Sequence, residues 1–135
     1  MMKYESMLYE RKLQFINVDV LKDKILVDIK NLDDGAMYFK TDSDEEYVMF
    51  HEQDCCESVY IEDICGDLND LLNSPLLISE EASNEEEPKL SYEPESYMWT
   101  FYKFATIKGS VTIRWFGESN GYYSEGVSFF KVKKN

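Results

Sequence analysis

The stretch MWTFYKFATIKGSVTIRWF, residues 98–116, constrains the backbone more than any other part of this chain. Aromatic and β-branched side chains pack well on a pleated surface and lose rotamer freedom in a helix. Two such runs separated by Lys108–Gly109 predict a tight hairpin with strands at 98–107 and 110–116. A third aromatic run, GVSFFKV at 126–132, follows the longer connection GESNGYYSE (117–125). A chain ending this way must build an antiparallel sheet.

The upstream sequence extends that sheet. KILVDIK (24–30) alternates Ile25, Val27 and Ile29 with polar neighbours, the pattern of a half-buried strand. The turn at DDG (33–35), with Gly35 free to take positive φ, leads into AMYFKT (36–41). EYVMFHE (46–52) continues after the polar turn DSDEE, so these strands are expected to form a meander, each pairing with its predecessor, and SVYIEDI (58–64) reads as another strand. DLNDLLN (67–73) has an Asp N-cap and leucines at helical spacing, and Pro75 stops the helix. PLLISEEA (75–82) reads as a further strand, residues 1–12 as a short helix or arm, and residues 83–96 as an acidic surface loop. The expected fold is α+β: one domain, 1–135, with about six to eight mostly antiparallel strands and one or two short helices.

Charge narrows the functions. Residues 41–88 hold 16 acidic side chains and no Lys or Arg, whereas residues 99–135 hold six basic against two acidic. A chain of net charge −13 repels phosphate backbones, so direct nucleic-acid binding is not expected. Such a surface either imitates nucleic acid towards a basic protein or keeps the chain in solution. No apolar run approaches the ~20 residues of a membrane span, and the opening MMKYESMLYERK lacks the basic-then-apolar order of a signal peptide. With no export signal, the three cysteines are expected as reduced thiols in a cytoplasm.

The heptad HEQDCCE (51–57) brings together the single histidine, three acids and two adjacent cysteines. Zinc needs about four convergent ligands, usually in paired knuckles, and no second Cys or His pair exists. A thiol nucleophile needs a cation or helix N-terminus to lower its pKa, and Glu52, Asp54 and Glu57 act the other way. Neither a metal nor catalysis is therefore the expected use. Gln53, Asp54 and Glu57 do offer donors and acceptors for a polar ligand, unless Asp54 only closes its own turn.

RWFGESNGYYSE (114–125) is the second cluster. Arg114 is either a bidentate anion-binding group or an exposed arginine paired with Glu118. Ser119, Asn120 and Gly121 form a turn, and Tyr122 and Tyr123 at its edge are either hinge packing or platforms for a base. Phosphate-binding glycine loops and calcium-loop patterns are absent.

HEQDCCESVYIEDICGDLNDLLNSPLLISEEAS and WTFYKFATIKGSVTIRWFGESNGYYSEGVSF resemble a family of small tailed-bacteriophage proteins of unknown function, over roughly residues 24–130. That resemblance implies the bacterial host cytoplasm during infection and, by association, a role against host defence. Two expectations follow. In the first, the protein sequesters a small nucleotide immune signal: Arg114 holds phosphate, Trp115, Tyr122 and Tyr123 stack on bases, and His51, Gln53, Asp54 and Glu57 with Ser119 and Asn120 read polar edges. Such a protein is expected to be a homo-oligomer without a cofactor. In the second, it is an acidic inhibitor that docks on a basic host defence protein. A small hydrolase using the His/Cys cluster stands third.

Overall fold

A computed structural model of the chain describes residues 6–7, 10, 12–83, 90–92 and 94–134. Nine strands, all antiparallel, form two sheets among these residues. The first sheet consists of β1 (Leu13–Phe15), β2 (Leu26–Leu32), β3 (Ala36–Thr41), β4 (Glu46–Phe50) and β9 (Ser128–Val132), in the order β1-β9-β4-β3-β2. The second consists of β5 (Ser58–Cys65), β6 (Ile78–Ser83), β7 (Ser96–Thr106) and β8 (Gly109–Ser119), in the order β5-β8-β7-β6.

Alternation along the strands decides which faces meet. Met37, Phe39, Tyr47, Met49 and Phe129 of the first sheet share one buried cluster with Ile61, Tyr102, Phe104, Ile113 and Trp115 of the second. The two sheets therefore pack face to face as a sandwich. Phe39 crosses the seam, with its ring 5.6 Å from that of Phe104 and 5.8 Å from that of Phe129. Each fully buried side chain of this size contributes roughly 1.5–3 kcal/mol.

The outer faces are apolar too. Ala36, Val48, Phe50 and Phe130 form a second cluster against which Met7 packs, and Trp99, Phe101 and Phe116 form a third with Leu90. Strands buried on both faces carry consecutive apolar residues, which explains runs such as YVMF and WTFYKF.

Several expectations change. Among the described residues there is little helix: residues 6–7 are helical, Leu68–Leu71 is a single 3-10 turn within the expected 67–73 helix, and Val18–Leu21 is a 3-10 turn that was not expected. Asp67 caps the Leu68–Leu71 turn as expected, accepting from the Asn69 N–H at 2.9 Å. That helix stops after one turn because Leu72 extends to bridge Leu26 and Asn73 adopts φ 63°. Most of the expected 1–12 arm, and residues 84–89 and 93 of the 83–96 loop, lie outside the described residues.

The expected meander forms through β2, β3 and β4, and β6, β7 and β8 also pair in order; β5 joins the second sheet, and β4 takes β9 as its second neighbour. A register shift between Leu26 and Asp28 makes Val27 an extra, exposed residue, so Leu26 and Ile29 both turn to the core. The expected Ile25–Val27–Ile29 stripe is broken there. At the β2–β3 turn Asp33 and Asp34, not Gly35, adopt positive φ (54° and 60°). Asn31 brackets that turn by accepting from the Asp34 N–H and donating to its carboxylate. Among the described residues no helix is long and apolar enough to cross a membrane.

Candidate functional site

Both sequence motifs are sheet-to-sheet crossings. HEQDCCE carries the chain from the end of β4 in the first sheet to the start of β5 in the second. SNGYYSEG carries it back from β8 to β9. Because β4 pairs with β9 and β5 with β8, the two crossings run side by side at one end of the sandwich.

His51 and Glu57 fasten them. The His51 ring is buried, with Nε2 2.8 Å from Glu57 Oε2 and Nδ1 2.6 Å from the Gly126 carbonyl. Glu57 also accepts from the backbone N–H groups of Asp54 (2.9 Å) and Cys55 (2.8 Å) and from the Gln53 amide (3.2 Å). Burial drives the Glu57 carboxyl up, but the Asp54 and Cys55 N–H groups and the His51 ring outweigh it and hold the pKa at about 2. Gln53 closes the loop further by donating to the Glu57 carbonyl at 2.6 Å. Glu52 reaches the opposite crossing and accepts from the Ser128 hydroxyl at 3.0 Å.

The returning crossing has its own clasp. The Ser119 hydroxyl donates to Glu125 at 2.8 Å, and Ser96 donates to the other oxygen of that carboxylate at 3.1 Å. Asn120 accepts from the Tyr122 N–H at 3.1 Å, and Gly121 adopts φ 94° as the turn requires. Gly117 lets the strand approach closely, since a Cβ there would lie 2.6 Å from the Glu125 carbonyl.

Between the crossings and residues 94–95 lies a cleft of about 360 Å³, lined by Glu57, Ser58, Glu95, Glu118, Asn120 and Tyr123 among others. No Lys or Arg lines it among the described residues. His51 and Asp54 line a second recess, of about 320 Å³, on the other side of the loop. A larger groove, about 520 Å³, lies at the opposite end of the first sheet, where Lys131 is paired with Glu45 and Lys134 with Asp44.

Thus Glu57, Ser119, Asn120 and Tyr123 share one cleft, Gln53 is hydrogen-bonded to the Glu57 carbonyl, and Tyr122 projects into solvent at 88% exposure. Four expected members sit elsewhere: His51 and Asp54 line the second recess, and Trp115 and Arg114 line neither. Trp115 points inward, with its indole N–H on the Met49 sulfur at 3.3 Å, so its ring is not open to stacking from solvent. Arg114 is engaged by Glu62, not Glu118: Nε donates to Glu62 at 2.6 Å, and Asp63 lies 3.7 Å away. Glu62 reaches it because β5 bulges between Ile61 and Asp63.

The thiols are a further correction. Cys55 and Cys56 are joined to each other in a disulfide, leaving Cys65 as the free thiol, exposed and pushed up in pKa mainly by its hydrogen bond to Asp63. Among the described residues no three His, Cys, Asp or Glu side chains converge to hold a metal ion. Glu118, Glu125, Ser58 and Glu95 were not anticipated in the site. Glu118 alone had a sequence signal, lying on the same strand face as Arg114 and Phe116 at two-residue spacing.

A family model described as a domain of unknown function, DUF7448, matches residues 7–129, and the chain belongs to that family. No curated protein matches the chain. No solved structure matches it either.

Proposed function

We propose that this member of the DUF7448 family is an acidic binding protein that docks on a basic partner in place of nucleic acid. The partner we infer is a defence protein of a bacterium infected by phages of the kind whose small proteins the chain resembles. One observation carries this reading: the cleft at the crossings presents Glu95 and Glu118, with no lining Lys or Arg among the described residues. A phosphate is repelled from such a surface, and a lysine or arginine is drawn to it.

Sequestration of a small nucleotide is the second reading, favoured by Tyr123 and Asn120, which line the cleft. It loses its phosphate anchor, because Arg114 is held by Glu62 and does not line the cleft. Hydrolysis through the His/Cys cluster stands third. Both His51 ring nitrogens are occupied, and Cys55 and Cys56 are spent in a disulfide.

The test is titration of the purified protein with a lysine-rich peptide at low and high salt. Binding that weakens steeply with salt, and weakens further in Glu95→Lys and Glu118→Lys, supports docking. A nucleotide taken up from a panel of cyclic nucleotides and released intact on heating, with no peptide binding, overturns it in favour of sequestration.

A further inference from the structure

The outer face of the second sheet holds two arrangements of rings and carboxylates, and one of them already contains a cation. At that position Arg114 lies over the Trp99 ring, 5.6 Å from its centroid, and its guanidinium is met by Glu62 and Asp63. Four residues along β8, on the same face, stands Glu118. Its cross-strand neighbours are Tyr97 on β7 and Ser58 on β5, and Tyr60 lies diagonally opposite, paired with Phe116.

Phe116 is buried and forms a floor. Tyr60 stands edge-on to it at 6.0 Å and 68°, and Tyr97 is tilted against it at 6.3 Å and 32°. Tyr92 completes the enclosure by donating its hydroxyl to Glu118 at 2.8 Å. That bond is the main reason the Tyr92 hydroxyl is held above its ordinary pKa, and the nearby Tyr60 hydroxyl adds to the effect. The three tyrosines are 39–48% exposed, a large amount for rings gathered around one carboxylate. Among the described residues Glu118 has no cationic partner.

We infer that Tyr60, Tyr92 and Tyr97 form a seat for the alkylammonium group of a lysine side chain, with Glu118 as its counter-charge. Ring faces attract cations through their quadrupole, and the lysine stem gains apolar contact with the same rings. The rings are mutually inclined and act as walls, so a flat sugar ring finds no flat platform. A guanidinium needs paired acceptors in a plane, as Arg114 has, whereas a compact ammonium is satisfied by one carboxylate. This inference rests on the docking reading and names the group of the partner that enters the site.

The test compares a lysine–glycine peptide, the matched arginine–glycine peptide and free spermidine, by calorimetric titration on the full chain. The lysine peptide is expected to bind most tightly. Glu118→Gln is expected to weaken it about tenfold, Tyr60→Leu and Tyr97→Leu several-fold, and Tyr60→Phe, which keeps the ring, hardly at all. Glu80→Gln, an exposed carboxylate on β6 away from the rings, should change affinity less than twofold. If Glu118→Gln and Tyr60→Leu leave lysine-peptide binding within twofold of the parent, the seat does not exist and docking uses another surface. Arginine or spermidine binding as tightly as the lysine peptide overturns the lysine assignment. Failure of every cationic probe to bind at low salt overturns the docking reading itself.

Discussion

His51 and Glu57, six residues apart, meet at 2.8 Å with side chains 4% and 0% exposed. They close the crossing between the sheets into a loop whose inner wall is a buried, hydrogen-bonded pair. Removing the Glu57 carboxylate leaves the buried His51 Nε2 and the Asp54 and Cys55 N–H groups without their partner. Glu57→Ala is therefore expected to lower stability by about 3–5 kcal/mol, and Glu57→Gln, which keeps an acceptor for the loop N–H groups, by less. Urea unfolding of both variants checks this, and equal losses would show that the charge is what matters.

Acid should unfold the protein through two carboxylates. Glu57 sits at about 2 in the fold, against burial, through the loop N–H groups and His51; Glu45 sits at about 2 mainly through its hydrogen bonds to Lys24 and Lys131. Both folded values lie below the ordinary 4.5, so each group's stabilisation is complete above about pH 4.5 and is lost as pH falls towards 2. The midpoint temperature is expected to stay flat from pH 7 to 5 and then drop. Glu57→Gln should make that drop shallower.

Two glycines of the returning crossing should respond for different reasons. Gly117→Ala places a methyl 2.6 Å from the Glu125 carbonyl and 2.9 Å from its Cβ, which forces the strand and the loop apart. A loss of about 1–3 kcal/mol is expected from this overpacking. Gly121→Ala meets nothing within 4 Å, but its φ of 94° disfavours a side chain, and about 1 kcal/mol is expected. Loosened crossings in Gly117→Ala should also weaken lysine-peptide binding, which Gly121→Ala should spare.

The cysteines can be counted. Alkylation of the unreduced, denatured protein is expected to label one thiol, Cys65, and alkylation after reduction to label three. Mass spectrometry gives the answer directly. Cys55→Ser with Cys56→Ser should leave peptide binding in place, because no thiol is asked to react.

The sequence showed strands more clearly than it showed sheets. AMYFKT matches β3 residue for residue, and the aromatic hairpin matches β7 and β8 to within a few residues. Alternation says which side of a strand is apolar, but not which sheet the strand joins, so the departure of β5 was invisible. β1, with three residues, is too short to carry a period. A one-residue bulge broke the stripe of KILVDIK at Val27, and the inward turn of Trp115 followed from a parity that only the pairing register fixes. The meeting of HEQDCCE with SNGYYSE was half legible, as two polar connections in a strand-rich chain. The partner of Arg114 was not, because Glu62 reaches it only through the bulge in β5.

The position of β9 has a consequence for synthesis. It is made after the other eight described strands, yet it lies inside the first sheet, between β1 and β4. Until it emerges, Val48 and Phe50 have no neighbour on that side, and the Gly126 carbonyl that holds His51 has not arrived. Long-range pairings of this kind form slowly. The order of translation thus acts as a timer: the first sheet and the crossings are assembled together, once β9 has been made.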